Sequence, residues 1–295
     1  MENAFIGLDI GQTKIAAGLV LGSGDVVKRI VKSTDMGHGF EGVHHQCTAL
    51  ISELKEGRDY SVKGIGVGIF GVVDAARGIV LRNHIMRDKP NLSLANILSE
   101  EYGVPVKIDN DICAEASGEH RFGAGKGMRV SASIIIGTGA GLGVIINNRI
   151  WHGAHSLAGQ VGWVGLPCTD TPWRQMFSGE GIETRYAEKA GKKISAKEVF
   201  DLANSGNGIA QRIINDATEH AAALIALVQH IIDPEVVILG GNVVLNQDDF
   251  VSSIRKKVLE IHDLRRLNLD LDIKIEKAKL GINTGVVGAA SLVME

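Results

Sequence analysis

The sequence predicts an α/β protein of two lobes, each with a mixed sheet, and a cleft between them. Three observations lead to that class. Strand-length apolar runs alternate with stretches of helical periodicity along the chain. A strand–turn–strand unit at residues 5–20 returns in kind at residues 131–146. The length, 295 residues, suffices for one large domain or two lobes.

The first unit is two apolar runs around Gly11-Gln12-Thr13-Lys14, with Asp9 at the end of the first run. Its turn offers backbone amides, a hydroxyl and an ammonium group, a set that suits the acceptor oxygens of a phosphate. An acid beside it can hold Mg²⁺ through water, because Mg²⁺ gives up its hydration reluctantly. An ordinary hairpin with a polar turn fits this stretch equally well when it is taken alone. Residues 26–32 read as a third strand. From Gly42 the positions Val43, Cys47, Leu50, Ile51 and Leu54 fall on one helical face, and Gly57 ends the helix. Residues 62–73 read as one buried strand leading to Gly71-Val72-Val73-Asp74. A loop through Asn83, His84 and Asn91 precedes a helix at 94–102. A short strand at 105–108 then delivers Asp109-Asn110-Asp111.

Residues 118–128 are glycine-rich and polar, which places the lobe boundary there. The second unit follows, with Gly137-Thr138-Gly139-Ala140-Gly141 as its turn. It is no dinucleotide fingerprint, since Leu142 stands where a third glycine is needed, and no stretch fits the P-loop pattern. Helices are expected at 180–189, from the N-cap Ser195 onward, and at 209–232, the last with Ile213, Ala217, Leu224, Val228 and Ile231 on its buried face. Pro234 stops that helix. A strand at 235–239 leads to Gly240-Gly241-Asn242, and a helix at 249–261, a strand at 271–275 and a small-residue helix after Gly281 complete the chain.

Composition narrows the partners. A net charge of -3 gives no reason to expect nucleic acid or an anionic membrane. Three widely spaced cysteines, Cys47, Cys113 and Cys168, argue against a disulfide framework and for a reducing compartment. The N-terminus enters a strand pattern directly and no apolar run approaches membrane-spanning length, so the expectation is a cytoplasmic protein.

With these pieces in order, the chain resembles the ROK family of sugar kinases and related repressors, within the hexokinase, actin and heat-shock ATPase superfamily. The family's D-x-G-G-T-K motif corresponds to Asp9-Ile10-Gly11-Gln12-Thr13-Lys14, with Gln12 in place of the second glycine. Its Asn-Asp pair is Asn110-Asp111, and its G-T-G-x-G motif is Gly137-Thr138-Gly139-Ala140-Gly141. The adenosine motif is the strand ending in Gly240-Gly241, followed by Asn242, and the C-terminal connecting motif is Gly285-Val286-Val287-Gly288-Ala289-Ala290.

The resemblance implies the two-lobed actin-like ATPase (ribonuclease H-like) fold. It places the first lobe at 1–117, completed by the helix at 284–295, and the second at 118–283. It implies an ATP-dependent sugar kinase in which Asp111 is the general base, and Gly71, Asn83, Asn110, Gln160 and Trp163 join Asp111 around the sugar. The turns at 11–14 and 137–141 would cradle ATP phosphates from the two lobes, with Mg²⁺ assisted by Asp9. Gly240, Gly241 and Asn242 would line the nucleoside pocket. A homodimer is implied by the resemblance alone.

The acceptor side departs from the family. Its E-x-G-H motif corresponds to Gln160-Val161-Gly162-Trp163, and of the cysteine-rich zinc motif only Cys168 is present. No tetrahedral zinc site of that kind is therefore expected. The acid before Ser178-Gly179 corresponds to Arg174, with Glu180 and Glu183 as its nearest substitutes. Gln160 keeps hydrogen-bonding capacity without charge, Trp163 offers a flat apolar face, and Arg174 brings a planar cation suited to a carboxylate or phosphate. These changes read either as an acceptor other than plain glucose or as structural filling, with Arg174 a solvated surface residue. A repressor is disfavoured because no helix-turn-helix precedes Phe5. The alternative to a kinase is a catalytically silent nucleotide- or sugar-binding protein.

Overall fold

Both predicted strand–turn–strand units are antiparallel hairpins, and each is extended on one side by parallel strands. The computed structural model describes residues 2–57, 59–166, 171–261 and 274–294. The chain divides into two compact units, Met1–Gly127 with Arg149–Leu157 and Lys279–Glu295, and Met128–Asn148 with Ala158–Ala278.

In the first unit, β1 (Glu2–Ile10), β2 (Lys14–Leu21), β3 (Val26–Ser33), β4 (Tyr60–Ile69) and β7 (Val106–Asn110) form a sheet in the order β3-β2-β1-β4-β7. The β1–β2 and β2–β3 pairs are antiparallel, whereas β1–β4 and β4–β7 are parallel. Register sets Asp9 beside Gly68, Ile10 beside Ile69, and Ile69 beside Asn110, so three strands finish at one sheet edge. Edges of this kind, at the carboxyl ends of parallel strands, are where α/β sheets bind ligands. Helix α1 (Gly39–Lys55) buries Phe40 together with all five apolar positions expected of it, and starts one turn earlier than its periodicity suggests.

The single strand expected at 62–73 is two. Gly71, at φ 122°, breaks the run between β4 and β5 (Val72–Asp74), and β5 pairs with the unpredicted β6 (Ile79–Arg82). Helix α2 (Leu94–Tyr102) has the expected bounds and closes on Gly103 in the left-handed region. The helix that sequence reading missed is α3 (Asp111–Phe122), which begins with Asp111 itself. Its buried side consists of Cys113, Ala114, Ala116, Gly118, Glu119 and His120, too small and polar to give an amphipathic stripe. Because α3 runs through residue 117, the division falls at 127/128, later than the expected boundary. The segment Arg149–Leu157, which carries the short strand β10 (Arg149–Ile150), also belongs to the first unit.

The chain returns to the first unit as α10 (Thr284–Ser291), packed on β1, β2, β4 and α3. Glycines make that contact. A Cβ on Gly7 would lie 1.9 Å from the Val286 carbonyl oxygen, one on Gly66 1.7 Å from that of Ala289, and one on Gly118 2.7 Å from Gly288 Cα. Arg121 donates to the Met294 carbonyl and holds the end of the chain.

The second unit repeats the plan: β8 (Val130–Ile136), β9 (Ala140–Ile146), β11 (Val236–Gly240) and β12 (Ile275–Lys277) lie in the order β9-β8-β11-β12. The β8–β9 pair is antiparallel and the others parallel. Helices α4 (Arg174–Phe177), α5 (Gly179–Ala190), α6 (Ala196–Asn204), α7 (Gly208–Ile232), α8 (Asn242–Leu245) and α9 (Asp248–Ile261) supply the rest. Ser195 caps α6 in a complete capping box, as expected. On α7 the expected face is buried except for Ile231, which is 74% exposed at the last turn, beyond the reach of the core. Most of the strand expected at 271–275, together with Cys168, lies outside the described residues.

Candidate active site

At the edge of the first sheet, Gly11 N–H donates to the Lys14 carbonyl (2.9 Å) and closes the hairpin turn. Thr34 holds the turn from the side: its hydroxyl donates to Gly11 O (2.9 Å) and its N–H to Thr13 O (3.1 Å). Gln12, Thr13 and Lys14 are exposed, so their polar groups face solvent. Burial pushes the Asp9 carboxyl up to about 6, against the opposing pull of Lys14 and Arg29. Gly285 permits the start of α10 to reach this acid, since a Cβ there would lie 2.3 Å from Asp9 Oδ2.

Asn110 and Asp111 stand where β7 becomes α3. Asn110 is the N-cap: its Oδ1 accepts from Ile112 N–H (3.0 Å), and its Nδ2 donates to the Gly71 carbonyl (2.9 Å). The Gly71 φ of 122° turns that carbonyl toward the cap, and a Cβ would strike the Arg82 carbonyl oxygen at 2.3 Å. Burial, and after it the neighbouring Asp9 charge, push the Asp111 carboxyl up to about 7. Glu115, one turn along α3, is held well above the carboxylate range by burial and by Asp9 and Asp111, with Lys14 opposing. Sequence reading missed Glu115 because α3 itself was not recognised; a helical reading of 111–122 would have placed it on the face of Asp111.

Asn83 fixes the loop that follows β6 through three hydrogen bonds. It is buried, its Nδ2 donates to Phe70 O (2.7 Å), and its Oδ1 accepts from Ile85 N–H (2.7 Å) and Met86 N–H (3.1 Å), so it shapes the loop it begins. Asp109, next to Asn110 at the end of β7, is buried and accepts from Asn110 N–H (2.7 Å) and from His152 Nε2 (2.7 Å). That hydrogen bond raises the His152 pKa. Cys113 is buried nearby, and its thiol is pushed well above its ordinary value by burial and the Asp109 and Asp111 charges, so it is no ready nucleophile.

In the second unit, Gly137 N–H donates to Gly139 O (2.9 Å) and closes the second turn. The start of α5 is fixed to it: Gly179 N–H donates to Gly137 O (2.8 Å), and Glu180 N–H to Thr138 O (3.2 Å). Nothing lies within 4 Å of where a Cβ would stand on Gly137 or Gly139, so the turn borders open space. Gly240, Gly241 and the exposed Asn242 share this edge, because β11 runs beside β8 with Gly240 opposite Ile135. At Gly241, φ 89° and a Cβ position 2.4 Å from Ile136 O tie the glycine to strand packing. Gln160 precedes a 3-10 turn, Val161–Trp163, pressed onto β9. Gly159 N-terminal to it and Gly162 within it approach the Leu142 and Ala140 carbonyls too closely for any side chain.

Arg174 is no solvated surface residue. Its guanidinium lies 4.2 Å over the Trp163 ring with the side chain 29% exposed, and Nη1 is 3.9 Å from the Glu180 carboxylate. Trp163 itself is 60% exposed. Glu183 accepts from Ala196 N–H (3.0 Å), which assigns it to the joint between α5 and α6. The structure therefore gathers Asp9, Gly11, Gln12, Thr13, Lys14, Gly71, Asn110 and Asp111 at one edge of the first unit. It gathers Gly137, Thr138, Gly139, Gly240, Gly241 and Asn242 in the second, with Gln160 and Trp163 against the neighbouring hairpin.

Comparison with known protein families matches residues 5–295 to the ROK family. The chain belongs to the ROK family. A ROK glucokinase from Streptomyces griseus, solved with glucose and AMPPNP, superposes with a TM-score of 0.81 at 30% identity and 98% coverage of both chains. The bifunctional enzyme NanE/NanK of Brucella melitensis is 32% identical over 289 residues, which are 97% of this chain and 53% of that protein. This chain thus spans about half the length of that relative. The glucokinase of Thermotoga maritima is 27% identical over 97% of its length and 98% of this chain. The fold is accordingly the two-lobed fold of ROK sugar kinases.

Proposed function

We propose that this ROK protein is an ATP-dependent carbohydrate kinase, transferring the γ-phosphoryl group to a hydroxyl of a hexose or hexose derivative. The observation that carries this reading is Asp111, a carboxyl with a pKa near 7 on the sheet edge that also holds the turn at 11–14. A general base works best when its pKa lies near the operating pH, and contributes typically about 10²–10⁴-fold. Asp111 takes the proton of the attacking hydroxyl, while Asn110, fixed by its two backbone partners, orients the sugar. Phosphoryl transfer otherwise needs positioning and charge stabilisation. In the first unit the exposed groups of Gln12, Thr13 and Lys14 supply donors to phosphate oxygens. In the second unit the turn at 137–139 borders open space, and Gly240, Gly241 and Asn242 share its edge as the nucleoside-binding residues of this reading. The sugar-kinase names of the relatives support the same class.

The residues fit Mg²⁺. The Asp9 charge raises the proton affinity of Asp111, and both raise that of Glu115; a hard divalent cation relieves such crowding of carboxylates. Asp9 would hold it through water, and the ion would offset charge on the phosphoryl oxygens. Trp163 under Arg174 forms a flat cationic surface, and with Gln160 it stands in place of the glutamate and histidine of the family's E-x-G-H motif, which favours an acceptor other than plain glucose. A cytoplasmic location is part of the same reading; among the described residues no helix is long and apolar enough to cross a membrane. Leu227 and Ile231, exposed on one face of α7, favour a homodimer.

ADP release measured with ATP over a panel of hexoses, amino sugars and acidic sugars tests the reading. One acceptor should be turned over, and Asp111→Asn should lose that activity while still binding ATP. Turnover of glucose or N-acetylmannosamine at ordinary efficiency would remove the altered-acceptor element. A wild type inactive across the panel would favour the silent binding protein.

A further inference from the structure

We infer that Asp109, Cys113 and His152 form a binding site for a thiophilic divalent cation of the Zn²⁺ class. The three come from different elements: the end of β7, the first turn of α3, and the segment after β10. One ligand atom from each, a carboxylate oxygen, the thiol sulfur and a ring nitrogen, lies within 4.8 Å of the other two. Among the described residues no other group of three such side chains converges in this way.

Chemistry selects the cation. One thiolate, one imidazole and one carboxylate is a borderline-soft set that Zn²⁺ accepts and Mg²⁺ does not. Ligand bonds of about 2.0–2.3 Å around a tetrahedron put the donor atoms roughly 3–4 Å apart. The donor atoms, all within 4.8 Å of one another, lie close to that spacing, and the 2.7 Å contact between His152 Nε2 and Asp109 Oδ2 opens as the cation enters between them. Asp109 Oδ1 is already oriented by Asn110 N–H (2.7 Å), the kind of outer partner that fixes a metal carboxylate. Asp109 and Cys113 are 3% and 6% exposed, but the His152 side chain is 32% exposed. Entry and the fourth coordination position are therefore on the histidine side, open to water.

On binding, the Cys113 S–H bond breaks as the metal–sulfur bond forms, and that proton leaves to solvent. The Nε2 proton that His152 shares with Asp109 leaves to solvent as well, so the imidazole keeps its Nδ1 proton and presents bare Nε2 to the cation. No bond to substrate is involved, and the site is separate from the cysteine-rich zinc motif that the sequence lacks. It does not rest on the kinase reading.

Full-length protein stripped with chelator should rebind one equivalent of Zn²⁺, measured by elemental analysis and by competition with a chromophoric chelator. Cys113→Ser and His152→Asn should each weaken binding by more than about tenfold. Cys168→Ser should leave it unchanged. Substitution with Co²⁺ should give a thiolate-to-metal charge-transfer band that Cys113→Ser abolishes. Equal Zn²⁺ affinity in wild type and His152→Asn, a partly exposed position that tolerates exchange, would overturn the site. A Co²⁺ spectrum without sulfur character would do the same, leaving His152 and Asp109 as a structural hydrogen bond.

Discussion

Asp111 combines catalytic usefulness with a cost to the fold. Its carboxyl titrates near 7 because burial and the Asp9 charge disfavour the anion, whereas in the unfolded chain the ordinary value of 3.8 applies. A carboxyl raised on folding binds its proton more tightly in the native state. Its destabilising effect is therefore complete above about pH 7 and is relieved as pH falls toward 4. Asp111→Asn keeps an oxygen for Ile112 N–H and removes the charge, so it should melt at a higher temperature than wild type at pH 8. The gap should narrow markedly at pH 5 and close only toward pH 4; thermal denaturation across that range checks this. The same titration predicts that kcat/KM for the acceptor falls as pH drops below about 7, read from a pH–rate profile of the wild type. Much of this was legible: Asp9, Asn110 and Asp111 stand in recognisable motifs. Glu115 and Asp109 were not, because their roles depend on a helix start and a neighbour 43 residues away in sequence.

At the scale of elements, the second turn depends on α5. Ser178 caps that helix by accepting from Gly181 N–H (3.1 Å), and the next two amides hold the turn carbonyls. Ser178→Ala should cost about 1 kcal/mol and raise the KM for ATP more than that for the acceptor, as steady-state kinetics with each substrate varied would reveal. Gly241→Ala should be worse, since φ 89° and the Ile136 carbonyl both oppose a side chain; urea denaturation should show a loss of about 1–3 kcal/mol. Hairpins and long amphipathic helices such as α7 were readable because burial imposes a period on their sequence. α3 and β6 were not. The first packs through small residues and a glycine, and the second is four residues long and defined by its partner.

At the scale of the molecule, the first unit is discontinuous. Glu119, fully buried, accepts backbone N–H groups from Ala124, Lys279 and Leu280 and so joins the end of α3 to the returning chain. Glu119→Ala leaves those donors without that acceptor, at roughly 1–3 kcal/mol each. Chemical denaturation should register a loss of several kcal/mol, and a stability close to wild type would contradict the tie. The connecting motif near the C-terminus was legible, but its glycine-to-backbone fit against Gly7 and Gly66 was not, because strand glycines carry no periodic mark. That fit also has a consequence for synthesis. A ribosome adding about 5–20 residues per second takes roughly 8–30 s to travel from Gly127 to Lys279. Throughout that interval β1 and β4 lack the helix that covers them, so the nascent first half is the species most exposed to aggregation and most dependent on chaperones.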